Sequence, residues 1–170
     1  MKNIALLTVL SLMTMSSSAL ANGIALGFEI GPNFTLNAGD LVEDTAGVGI
    51  NARAGYQFES GPIFITPEAR FGFESPGTPN AFRILGGFRF GLNTPLAPIG
   101  FAHLGGLVGD LEGFTWDVGG GLDFDVGPIA LGVNASYNRA EDQELTLEAL
   151  GDDSVAFEWV QVAASVTLVL

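Results

Sequence analysis

The stretch FTWDVGGGLDFDVGPIALGVNASYN (residues 114–138) reads as two strands and the turn that joins them. In its first half Phe114, Trp116, Val118, Leu122 and Phe124 alternate with Thr115, Asp117, Gly119, Gly121, Asp123 and Asp125. After Val126-Gly127-Pro128 the alternation resumes, with Ile129, Leu131, Val133, Ala135 and Tyr137 set against Ala130, Gly132, Asn134, Ser136 and Asn138. A period of two marks a strand whose two faces meet different surroundings. Gly and Pro between the halves supply turn backbone. One face is large and apolar; the other is small, polar and acidic.

The same texture extends in both directions. Asn22–Phe34 sets Ile24, Leu26, Phe28 and Ile30 against Ala25, Gly27, Glu29 and Gly31. Gly47–Phe58, Ile63–Phe73 and Ala81–Leu92 repeat the pattern, and Val160–Leu170 closes the series. Ile99–Val108 is a fifth strand in which Gly and Ala blur the alternation. Pro67 falls inside the third strand and removes a ladder hydrogen bond, which predicts a bulge at Thr66-Pro67. The connections after strands two, four and six are tight: Glu59-Ser60-Gly61-Pro62, Asn93-Thr94-Pro95-Leu96 and Val126-Gly127-Pro128. Those at Thr35–Ala46 and Ala140–Ser154 are long, while Gly109–Gly113 is short. Eight strands with tight turns at one end predict an all-β fold: a closed eight-stranded antiparallel up-and-down transmembrane β-barrel.

Residues 1–21, MKNIALLTVLSLMTMSSSALA, have a different character. Lys2 is followed by an apolar run, Ile4 to Met15, and by the small-x-small triplet Ala19-Leu20-Ala21, the pattern of a signal peptide cleaved after Ala21. The run is shorter than the ~20 residues a membrane anchor needs. The expected division is therefore signal peptide 1–21 and barrel 22–170. The chain has no cysteine, so export brings it no disulfides. Loss of Lys2 leaves five basic residues against 19 acidic ones, a formal charge of −14. That balance excludes a nucleic-acid partner, which requires a basic footprint.

Volume decides which face points inward. An eight-stranded barrel is just wide enough for side chains to fill it, and some forty large apolar groups, roughly five per strand, would overfill that space. The apolar face is therefore expected to meet lipid and the small-residue face to line the interior. Arg53, Arg70, Arg83 and Arg89 lie on that small-residue face together with Glu29, Glu68, Asp117 and Asp123, a set whose charges sum to zero. On the outside an Arg at the bilayer midplane would cost ~2–4 kcal/mol. Inside, each ion needs a partner, and the planar, always-charged guanidinium grips carboxylates well. A salt-bridged plug is expected, with an ion pathway as the competing use. Phe34, Tyr56, Phe58, Phe73, Phe82, Phe114, Trp116, Phe124 and Tyr137 stand near strand ends, where an interfacial aromatic belt would lie.

The remaining acids fall in the connections: Asp40, Glu43 and Asp44; Asp110 and Glu112; Glu141, Asp142, Glu144, Glu148, Asp152 and Asp153, accompanied by Arg139 alone. They predict an anionic rim, ordinarily a solvated face, that would repel phosphorylated headgroups unless divalent cations bridge the two, and no loop has calcium-binding spacing. His103, the one histidine, sits in Phe101-Ala102-His103-Leu104-Gly105 with no nucleophile beside it. No nucleophile elbow, phosphate loop or zinc spacing is present, so no enzyme, metal or cofactor is expected.

The 114–138 hairpin and the final strand resemble the small outer-membrane β-barrel domain family, which includes the membrane domain of OmpA, the OmpX-like barrels and opacity-type proteins. The resemblance rests on Phe114 and Trp116 before Asp117, then Gly119, Gly121, Asp123 and Phe124, the tight turn, and a strand ending at Tyr137. It implies a place in the outer membrane of a Gram-negative cell envelope, with lipid and the outer-membrane insertion machinery as partners and no cofactor. The family usually ends in an aromatic residue read by that machinery, whereas this chain ends in Leu170. The expected role is structural or surface-contact, with a narrow pore or transport barrel and a periplasmic lipocalin-like carrier of a hydrophobic ligand as alternatives.

Overall fold

The structure, a computed structural model, describes residues 22–37, 46–75, 80–143 and 155–170. The expected signal peptide, the acids Asp40, Glu43, Asp44, Glu144, Glu148, Asp152 and Asp153, and the side chain of Asp142 lie outside the described residues.

Eight strands follow one another: β1 Gly23–Asn37, β2 Ala46–Ser60, β3 Ile63–Ser75, β4 Ala81–Leu92, β5 Leu96–Gly109, β6 Gly113–Val126, β7 Ile129–Gln143 and β8 Val155–Val169. Each pairs antiparallel with the next, and β8 pairs with β1 to close the barrel. Ile24 and Leu170 complete the closure by exchanging backbone hydrogen bonds of 3.1 and 2.9 Å. Paired residues can be followed once around the wall, from Glu158 through Arg139, Trp116, Leu104, Gly86, Ala69, Ala54 and Leu26. They return to β8 at Leu168, ten residues further along. With a rise of ~3.3 Å per residue and a strand spacing of ~4.8 Å, a stagger of that size tilts the strands by about 40°.

At one end β2–β3 and β6–β7 are joined by two residues each, Gly61-Pro62 and Gly127-Pro128. Gly61 has φ 63° and Gly127 φ 68°. Two-residue hairpins favour the primed turns, and a proline in second place leaves only the type whose positive φ falls on the first residue. The prolines of this end also knit it together. The carbonyls of Pro62, Pro95 and Pro128 accept from Asn93, Asp125 and Val169, at 2.7, 3.2 and 3.0 Å.

The strands run further than the sequence predicts. β5 begins at Leu96, inside the expected turn, β7 continues to Gln143 and β8 begins at Val155. Arg139 and Glu141 are therefore strand residues, not loop residues. Their neighbours complete ladders that local alternation could not reveal. The bulge expected at Thr66-Pro67 is absent. β3 keeps one register with β4 through Thr66↔Arg89, Pro67↔Phe88 and Glu68↔Gly87. On the other side the same register runs from Gly55↔Glu68 to Phe58↔Ile65. The missing N–H is accommodated where bridging lapses opposite Tyr56 and Gln57, without a shift. The irregularities fall instead near the far ends of the strands, at Thr35/Asn37 and Ala140/Gln143.

The two faces separate as the alternation predicts. Phe28, Ile50, Phe71, Phe88, Leu104, Leu122, Val133 and Val166 are all exposed on the outer wall. Tyr56 stacks against Phe58 near the turn end, and Phe73 against Phe82 and Trp116 against Tyr137 near the other end. The inner face holds the buried residues, in three layers. Near the turns lie Phe64, Ile99 and Phe101. Near the opposite end lie Ala81, Leu107, Leu111, Ala140, Phe157 and Trp159. The charges occupy the space between.

Candidate functional site

All eight residues of the expected charge set point into the barrel and are buried. They form one connected network. Glu29 on β1 receives three guanidinium groups: Arg53 at 3.0 Å, Arg70 at 2.7 Å and Arg89 at 2.8 Å. Glu68 on β3 meets Arg53 at 2.9 Å and Arg89 at 3.6 Å. Asp117 on β6 meets Arg70 at 2.9 Å and Arg83 at 3.4 Å. Asp123 is the outlier, with one ion pair among the described residues, to Arg89 at 3.6 Å. The guanidinium groups of Arg89 and Arg70 also lie over the Phe101 ring, 5.2 and 5.9 Å from its centroid, so the lower apolar layer is a floor for the charges.

Sequence reasoning missed several members of this network. Glu74 holds Arg83 at 2.6 Å and accepts from Asn33 Nδ2 at 2.7 Å. It shares the parity of Glu68 and Arg70, but its position just before Pro76-Gly77 disguised it as loop. Amides fill the gaps that ion pairs leave. Asn51 and Asn138 accept from Arg83 at 3.1 and 2.6 Å, and Gln161 accepts from Arg70 at 3.0 Å. His103 is the other addition. Its Nδ1 lies 2.7 Å from Asp117 and its Nε2 3.0 Å from Glu68. Its neighbours in sequence offered no such partner, because both carboxylates arrive from other strands.

The interior is also less uniformly small than the sequence suggested. Trp159 and Phe157 turn inward where only small groups were expected, and they do so above the charges, where Ala81 and Ala140 leave room. In the charged layer the glycines make the space. A methyl at Gly49 would collide with Gln161 and Glu74, and one at Gly132 with Asp123 and Ser165.

Outside the barrel, one polar patch interrupts the apolar wall near its loop end. Arg139 meets Glu141 at 2.8 Å and Glu158 at 3.1 Å, and Trp116 Nε1 donates to Glu141 at 3.2 Å. Among the described residues no group of three or more acidic, histidine or cysteine side chains is arranged to hold a metal ion.

The closed barrel of eight antiparallel strands has a counterpart among solved structures. The chain shares the fold of Neisserial surface protein A (NspA). The match has a TM-score of 0.55 and covers 87% of this chain and 97% of NspA. Sequence identity to NspA is 14%, so the likeness is one of architecture and not of conserved side chains. No family model and no curated protein matches the chain.

Proposed function

We propose that this protein is a non-enzymatic β-barrel of the outer membrane, exported by its signal peptide 1–21. Its role on this reading is structural or one of surface contact, and its acidic loops are presented outside. The observation that carries the reading is the reversal of faces. Large apolar side chains cover the outer wall, while ten ionisable groups are buried inside. A soluble carrier of a hydrophobic ligand would need the opposite arrangement. In a bilayer the outer wall buries its apolar band, and the closed ladder leaves no open sheet edge in the hydrocarbon. The aromatic pairs and the Arg139 patch stand where the hydrocarbon would end.

Three features support a structural role over transport or catalysis. The charges are paired across the lumen, and apolar layers close it on both sides. Both ring nitrogens of His103 face carboxylates inside the closed interior, at 2.7 and 3.0 Å, so neither is open to a substrate. The fold it shares with NspA is likewise an eight-stranded barrel.

The test is gel mobility in SDS of the membrane-extracted protein, unheated against boiled. Mobility that changes only on boiling, in a protein that needs detergent for extraction, supports the membrane barrel. Full extraction without detergent and an unchanged mobility would overturn it.

A further inference from the structure

The buried charges of the interior do not balance if histidine is left out. Five carboxylates, Glu29, Glu68, Glu74, Asp117 and Asp123, face four guanidinium groups, leaving a net −1 among the described buried residues. His103 stands between two of those carboxylates. We propose that His103 is the fifth cation of the interior, a doubly protonated imidazolium that ties Glu68 to Asp117.

Donor counting carries the assignment. An ionised carboxylate only accepts hydrogen bonds, and a neutral imidazole has one N–H and one lone pair. With Asp117 2.7 Å from Nδ1 and Glu68 3.0 Å from Nε2, either neutral tautomer sets a lone pair against a carboxylate oxygen. The imidazolium donates to both. A proton on either carboxylate would cancel the charge that it holds toward two guanidinium groups, which favours keeping the proton on the ring. Glu68 meets Arg53 and Arg89; Asp117 meets Arg70 and Arg83.

The Phe101 ring packs on one side of the imidazole, 5.6 Å between centroids, and the charged groups of the layer come from five other strands. β1 contributes Glu29, β2 Arg53, β3 Glu68, Arg70 and Glu74, β4 Arg83 and Arg89, and β6 Asp117 and Asp123 to the same layer. β7 and β8 contribute the uncharged Asn138 and Gln161. Arg53 takes Glu68 Oε2, and Arg70 and Arg83 take Asp117 Oδ2, the oxygens that do not face the ring; Arg89 Nε, at 3.6 Å, shares Glu68 Oε1 with His103. A lysine would place its charge but has no rigid pair of opposed donors to span the same gap.

The single histidine makes the test direct. The folded full-length barrel, in detergent micelles and labelled with nitrogen-15 histidine, yields one pair of ring nitrogen resonances. At about pH 8, where a free imidazole is neutral, both nitrogens are expected at protonated shifts. One unprotonated nitrogen in the folded wild-type protein would overturn the proposal. Glu68→Gln removes one carboxylate, so the interior balances with a neutral ring, and at the same pH one nitrogen should move to the unprotonated shift. A ring that stays doubly protonated in that variant would overturn the link between the proton and the charge balance. If Glu68→Gln does not fold, the wild-type spectrum decides alone.

Discussion

Glu29 and Arg70 meet across the lumen, Oε2 to Nη2 at 2.7 Å, although their strands β1 and β3 are not neighbours. The stagger of the barrel brings them together. β2 lies between, and its own Arg53 binds the same carboxylate from the side.

Glu29 is thus the acid with most to lose. Glu29→Ala leaves Arg53, Arg70 and Arg89 short of one shared counter-charge in a water-poor interior. Removing one partner of a buried pair costs ~3–5 kcal/mol, so the variant should unfold at clearly lower urea concentration in lipid vesicles. An unfolding midpoint equal to wild type would show that the network adds nothing to stability.

On the outer wall the effect of charge should depend on depth. Val133→Arg places a guanidinium on the outer wall midway between Ile129 at the turn end and the aromatic Tyr137, with an expected cost of ~2–4 kcal/mol, whereas Phe114→Arg near the strand end should cost about 0–1 kcal/mol. Vesicle unfolding of the two variants measures the difference. Equal, small losses would mean that this wall does not face hydrocarbon.

The glycines of the inner and outer walls should respond differently to the same change. Gly49→Ala drives a methyl into Gln161 and Glu74, and overpacking of this kind costs ~1–3 kcal/mol. Gly86→Ala meets nothing within 4 Å on the outer wall and should leave stability unchanged within ~0.5 kcal/mol. The temperature of the SDS mobility shift ranks the two.

Conductance tests the apolar layers. The wild-type barrel should produce no discrete channels in planar bilayers, since Phe64, Ile99 and Phe101 close one side of the charges and Trp159, Phe157 and Leu111 the other. The double variant Phe101→Ala, Trp159→Ala, which opens both layers, should raise the baseline conductance above either single variant. Channels of steady conductance in the wild type would favour the transport reading.

Much of this was legible beforehand, for identifiable reasons. The hairpin at 114–138 announced both strands because alternation and a Gly-Pro turn are local properties. The eight interior charges were visible because parity assigns a face as soon as a strand is recognised. Pro67 misled because its effect on the ladder depends on which neighbour it faces, and the structure absorbs it without a register shift. Glu74 and Trp159 were missed at strand ends, where loop composition masks the alternation.

The sequence by itself determined the number of strands, the direction of each face and the side on which eight of the buried charges would fall. A period of two and turn chemistry are written into neighbouring residues, and a face is enough to separate lipid from lumen. Only the tertiary structure decided who meets whom inside. A stagger of ten residues around the wall carries β1 past β2 to β3 and β4, and it sets His103 between acids from two other strands. Those partnerships depend on closing the sheet, and no stretch of chain read alone contains that closure.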